Sequence, residues 1–129
     1  YNLLDRGKKK KKLINKLKKN NIEIHVRSIF LQGILLMDSS KLPLHFKKWE
    51  NKFIMFENWC IKNKISKIQA CLNVVLEDKL FNKVVISAEN EKQLVQILNA
   101  INKKNKKDYP KNLQTNEKKL IDPRLWKRN

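Results

Sequence analysis

Apolar and polar residues change their period several times along this chain, and each change marks an element. Leu13, Ile14 and Leu17 share one helical stripe among lysines, which predicts a short surface helix over residues 8–20. Asn20 and Asn21 end it, because asparagine tolerates the left-handed conformation that closes helices. Residues 22–28 alternate instead, with Ile22, Ile24 and Val26 set against Glu23, His25 and Arg27, the two-residue period of a half-buried strand. Residues 29–37 are mostly apolar but broken by Gln32 and Gly33, and Asp38, Ser39, Ser40 and Pro43 add turn chemistry, so a long loop is expected.

Over residues 44–64, Phe46, Trp49, Phe53, Phe56 and Cys60 recur every three or four positions, predicting a helix with an aromatic face. Trp59 joins the same aromatic spacing, which reads as core and not as an exposed stacking platform. Ser66 followed by Gln69 forms a capping box, and Ile68, Cys71, Leu72, Val75 and Leu76 make the buried stripe of the next helix, closed by Glu77 and Asp78. Residues 83–87 carry Val84, Val85 and Ile86 without interruption, the mark of a strand covered on both faces, as in a parallel sheet. Directly after it Asn90 and Gln93 make a second capping box, and Leu94, Ile97, Leu98 and Ile101 line the following helix. Past Asn102 the chain is polar until Leu120, Ile121, Leu125 and Trp126, so residues 103–129 read as a mostly extended tail anchored at its end.

The order helix, strand, loop, two helices, strand, helix is an α/β pattern in which parallel strands are joined by a right-handed crossover. Two strands, plus whatever strand residues 1–4 terminate, leave sheet edges open, so the rest of the sheet is expected elsewhere. The first methionine is Met37, and the chain reads as a piece of something longer.

Composition narrows the function. The chain has 129 residues, room for one domain, and 30 Lys plus Arg against 12 Asp plus Glu give a formal charge of +18. Such a charge attracts polyphosphate, and the lysines at 8–12 with Lys103, Lys104, Lys106 and Lys107 form two dense patches, so a small Lys-rich nucleic-acid-binding module is the alternative reading. Arginine is sparse, however, whereas base recognition leans on it, and Lys rising together with Asn and Ile is what an A/T-biased coding sequence produces. No stretch is long enough to span a bilayer and no secretory pattern precedes the fold, so the expected compartment is the cytoplasm. Cys60 and Cys71 sit in apolar helical patterns as small hydrophobes, and His25 and His45 lack the neighbours of a metal set, so neither a disulfide nor a metal is expected.

The segments Tyr1-Asn2-Leu3-Leu4-Asp5-Arg6, Val26-Arg27-Ser28-Ile29-Phe30-Leu31-Gln32-Gly33-Ile34-Leu35-Leu36 and residues 84–98 resemble, in order and spacing, the C-terminal half of bacterial aldo/keto reductases. Leu120-Ile121-Asp122-Pro123 through Trp126 is similar to the ending of one branch of that family. The resemblance implies the C-terminal part of a (β/α)8 TIM barrel, incomplete as given. Residues 1–6 would leave its sixth strand, residues 22–28 would be the seventh and residues 83–87 the eighth, with βα units over residues 1–102 and a tail over 103–129. It also implies an oxidoreductase that moves a hydride between NAD or NADP and a small carbonyl or alcohol, acting away from membranes and nucleic acid.

In such barrels ligands bind at the C-terminal strand ends, and the loops after strands seven and eight commonly hold phosphate. The implied cofactor-binding residues are therefore Arg27, Ser28, Leu31, Gln32 and Gly33 after the first strand, and Ser87, Asn90 and Gln93 around the start of the last helix. Arg27 stands where many relatives place a tyrosine that stacks on the nicotinamide; Ser87 and Gln93 stand where many carry the Lys or Arg that grips the adenosine phosphate, with Lys92 beside them. The family's Tyr, Lys, Asp and His tetrad lies in its N-terminal half, so Tyr1, Tyr109, His25 and His45 are not assigned to it and no catalytic residue is expected here.

Overall fold

In the computed structural model of the chain, residues 1–6, 11–102 and 108–126 are described. Most of the two expected basic patches, Lys8, Lys9, Lys10, Lys103, Lys104, Lys106 and Lys107, lies outside those residues. Helix α1 spans Lys11–Lys19 and ends as its asparagines predict, with Asn21 at φ 55. Its stripe is shallower than expected, for Ile14 and Leu17 are half-buried while Leu13 is exposed.

Strand β1 covers His25–Val26 and strand β2 covers Lys83–Val84. They pair in parallel, His25 opposite Lys83 and Val26 opposite Val84. The ladder reaches one residue further at each end, where the Asn82 N–H donates to the Ile24 carbonyl at 2.9 Å and the Val85 N–H donates to the Val26 carbonyl at 2.7 Å. The Asn82 side chain accepts from the Ile24 N–H at 2.9 Å and so stands in for a ladder partner. Both strands are shorter than their patterns predict. Ser28, at φ 62, turns the first out of the sheet, and a strand with a single neighbour has half its backbone groups unclaimed by pairing.

The expectation that the second strand is covered on both faces fails. Val84 and Ile86 are half-buried, but Val85 between them is 52% exposed, because among the described residues the helices cover only one side of the pair.

A 3₁₀ segment, Leu44–Trp49, leads into helix α2, Glu50–Lys62, so the aromatic helix begins with a tighter turn than its spacing suggests. Trp49, at φ −110 and ψ 10, is the joint. Phe46, Trp49, Phe53, Phe56 and Cys60 are nonetheless all buried, and the Phe46 ring meets Phe53 at 6.4 Å edge on. Helix α3, Lys67–Leu76, is enclosed on nearly every side from Gln69 to Val75, with Leu76 emerging into solvent. Helix α4, Glu91–Ile101, buries Ile97 and Ala100, while Leu94 and Leu98 of the expected stripe are exposed.

The closing segment is more structured than an extended tail. It contains a 3₁₀ turn at Lys111–Leu113, helix α5 at Lys118–Ile121 and a further 3₁₀ turn at Pro123–Leu125. Leu113 and Leu120 are fully buried, the Thr115 N–H donates to the Leu4 carbonyl at 3.0 Å, and the Trp126 ring packs edge on against Phe46 at 4.8 Å. The core thus joins Leu3 and Leu4, the loop after β1, α2, α3 and this closing segment.

Candidate functional site

The loop leaving β1 is shaped by a run of left-handed backbone: Ser28 at φ 62, Leu31 at 49, Gln32 at 55 and Gly33 at 81. Three of these four carry side chains, which places local strain at the loop and requires the surroundings to hold it. Those surroundings are visible. Ile29, Leu31, Ile34 and Leu35 are buried as apolar anchors, and the Leu31 N–H donates to the Ser28 carbonyl at 3.0 Å. Asn2, buried, braces the loop's base: its Nδ2 donates to the Ser28 carbonyl at 3.3 Å, and its Oδ1 accepts from the Leu4 and Asp5 N–H groups at 2.9 Å each. A Cβ added at Gly33 would meet nothing within 4 Å, so conformation and not crowding asks for glycine there.

After β2, the Asn90 cap forms as predicted, while Gln93 reaches back to Glu89, one residue before the position a capping box uses. Asn90 Oδ1 accepts from the Gln93 N–H at 2.9 Å, and Gln93 Oε1 accepts from the Glu89 N–H at 2.9 Å. At the start of α3 the Ser66 cap is made, its Oγ accepting from the Gln69 N–H at 3.1 Å.

Because parallel neighbours send their C-terminal ends to one edge of the sheet, the loops after β1 and β2 leave side by side. They enclose, with the start of α3, an open cleft of about 820 Å³. Six of the eight expected site residues line it: Arg27, Ser28, Gln32, Gly33, Ser87 and Gln93. Leu31 lies buried beneath the loop and Asn90 supports α4 as its cap, neither lining the cleft. Lys92 is exposed and also stands outside the lining.

Three charged side chains line the cleft: Arg27, Lys67 and Glu89. Lys67 is engaged, its Nζ donating to Glu57 Oε1 at 2.9 Å and to the Met37 carbonyl at 2.7 Å. Arg27 and Glu89 enter none of the ion pairs among the described residues. The β1 side of the cleft therefore offers a cation, and the α4 side offers a carboxylate with the hydroxyl of Ser87 and the amide of Gln93.

Tyr1, His25, His45 and Tyr109 line no part of this cleft; Tyr1 and His25 share a smaller depression with Asp5 and Phe81, away from His45 and Tyr109. The Tyr1 hydroxyl donates to Asp78 Oδ2 at 2.6 Å, and burial with that bond pushes its pKa well above the ordinary range. His25 meets Glu23 at 3.2 Å, His45 lies 3.2 Å from the Lys119 carbonyl, and Tyr109 packs on Trp59 at 4.8 Å. Burial pushes the Cys60 thiol up to about 12 and raises Cys71 further, so both remain inert thiols. Among the described residues no group of three or more His, Cys, Asp or Glu is arranged to hold a metal, and no helix is long and apolar enough to cross a membrane.

Sequence reasoning missed the α3 wall. Ser66, Lys67 and Ile68 line the cleft, as do Phe30, Leu36 and Gln96. The signal at Ser66 was its capping box, which marks a helix start but not what that start faces.

The model of the family described as Aldo/keto reductase family matches residues 1–115. No curated protein and no solved structure matches the chain.

Proposed function

Since this chain belongs to the aldo/keto reductase family, whose members are oxidoreductases on a (β/α)8 barrel, we propose that it is the C-terminal portion of an NAD(P)-dependent reductase of small carbonyls or alcohols. On this reading residues 1–6 leave the sixth strand, β1 is the seventh and β2 the eighth, and the cleft between their loops receives the dinucleotide. One observation carries the reading: loops 58 residues apart in register, after Val26 and after Val84, meet at a single cleft through which Gly33 and Gln93 both face.

The residues present suit such a ligand. A volume of about 820 Å³ falls in the range of small-molecule and cofactor sites, roughly 300–1,000 Å³. The start of α3 borders it at Ser66, Lys67 and Ile68 with a dipole that favours anions, and Gln93 brings in the first turn of α4 through its side chain. Ser87, Gln93 and the first turn of α4 would hold phosphate oxygens, while Arg27, Ser28 and Gln32 would flank the ring end. The bound nicotinamide supplies or accepts the hydride; the residues of this chain bind it, orient it and exclude water from one side. Proton transfer is assigned to groups outside these residues, so the 129-residue segment tested by itself gives no turnover.

The lysine-rich alternative gains no site among the described residues, most of the lysines it rests on lying outside them. Lys47, Lys67 and Lys83 are tied to carboxylates, Lys52 donates to the Asn112 carbonyl and Lys18 to the Lys79 carbonyl, and the aromatic stripe is buried inside the core. Fluorescence titration of the protein with NADH and with NADPH tests the proposal. Saturable quenching that free dinucleotide competes away is expected, and its absence for both nucleotides refutes the assignment.

A further inference from the structure

The loop after β1 has two halves held by different forces. Its first half is anchored by buried Ile29, Leu31, Ile34 and Leu35. The stretch from Met37 to Lys41 has no such anchor, for the turn Ser39–Lys41 buries none of its residues. What fastens it is polar. Glu57 of α2 accepts at Oε2 from the Ser39 N–H at 3.2 Å and from Ser39 Oγ at 2.6 Å, and at Oε1 from Lys67 Nζ at 2.9 Å. Lys67 in turn donates to the Met37 carbonyl at 2.7 Å. One carboxylate and one ammonium thus join α2, α3 and the loop, with their side chains only 24% and 15% exposed. Partial burial shields the pair from salt and makes each ion costly to leave alone. Ser39 and Lys67 hold the Glu57 carboxyl near 2, so the carboxylate stays ionised near neutral pH.

Lys67 also lines the cleft, beside Leu36 and Gly33 of the loop. We propose that Glu57 is a positioning residue which, through Lys67 and Ser39, holds the Gly33 to Ser39 rim of the cleft in its dinucleotide-competent shape. The proposal rests on the reading of the cleft as a dinucleotide site. Glu57 itself touches no ligand; it acts by keeping one conformation of the rim dominant, and affinity falls in proportion to the competent fraction.

The test compares wild type with Glu57→Gln, Ser39→Ala and Lys67→Met in NADH titrations, alongside amide hydrogen exchange. Ser39→Ala removes a single hydroxyl and keeps the fold intact if Glu57→Gln or Lys67→Met does not. The expected result is a roughly tenfold weaker NADH affinity for Glu57→Gln and a smaller loss for Ser39→Ala. Faster exchange should appear over residues 36–42 with α4 unchanged, and Lys67→Arg should restore affinity where Lys67→Met does not. Wild-type binding that all variants reproduce, or exchange over residues 36–42 that does not change, overturns the positioning role alone. A wild-type protein that binds neither NADH nor NADPH overturns the reading of the cleft and this role with it.

Discussion

Gly33 sits at φ 81 with open space where a side chain would go, so the residue scale offers a clean separation of strain from crowding. An L-residue there is strained whatever the room, by about 1–2 kcal/mol for the left-handed region. Gly33→Val should therefore lower the thermal midpoint by that equivalent and also weaken dinucleotide binding, because the rim must shift; an unchanged titration would remove Gly33 from the site. Gly33 was legible in the sequence because glycine announces a backbone need. The left-handed Leu31 and Gln32 were not, since nothing in a leucine or glutamine signals positive φ; the burial of Leu31 helps hold its turn, and Asn2 holds the Ser28 carbonyl at the loop's base. On the opposite wall, Glu89 lines the cleft near Gln93 and Ser87, so on the proposed reading a phosphate dianion beyond the bridging pair would meet a carboxylate there. NADH should bind more tightly than NADPH, and Glu89→Lys should narrow or reverse the ratio in paired titrations.

Among the elements, α4 shows the gap between pattern and packing most plainly. Its cap at Asn90 was readable from spacing alone and is made as expected, so Asn90→Leu should cost about 1 kcal/mol by chemical denaturation and weaken dinucleotide binding by loosening the first turn. Its burial was not readable to the same degree. Gln93, Ile97, Ala100 and Ile101 face inward, whereas Leu94, Val95 and Leu98 are exposed although they are more apolar than Gln93 and Ala100 of the inward set. A helical stripe tells which residues could share a face, but the neighbour available decides how wide that face becomes. With Val85 also exposed, these side chains form apolar surface of the kind that drives association. Leu94→Lys with Leu98→Lys is expected to reduce concentration-dependent light scattering of the 129-residue chain while leaving its helical circular dichroism unchanged.

Over the whole molecule, the parallel pairing of two strands 58 residues apart in register followed from the βα order, and the structure realises it. The enclosure of α3 and the docking of the closing segment did not follow, because long-range contacts between short apolar pairs leave no periodic trace. Acid stability is a property at this scale. Glu57 is held near 2 by Ser39 and Lys67, and Asp122 near 2 by Arg124, both below their ordinary carboxylate values. A carboxyl with a depressed folded-state pKa contributes its full stabilisation above the ordinary range and loses it as protons bind. Stability should be level from neutral pH to about 5 and fall from about 4.5 toward about 2. Glu57→Gln should flatten that fall more than Asp122→Asn, since Arg124, 87% exposed, leaves its pair with Asp122 screened by solvent, whereas Lys67 is 15% exposed. Midpoints measured across that window check the order.

The bond from Thr115 to the Leu4 carbonyl, with Leu113 and Leu120 fully enclosed, has a bearing on how the polypeptide is made. Leu3 and Leu4 leave the ribosome well before the segment that roofs them, so they stay wet while the helices between are being made. Closure of this interior waits for residues 113–120, and the nascent chain is a natural client for chaperones that shield greasy segments until that segment arrives.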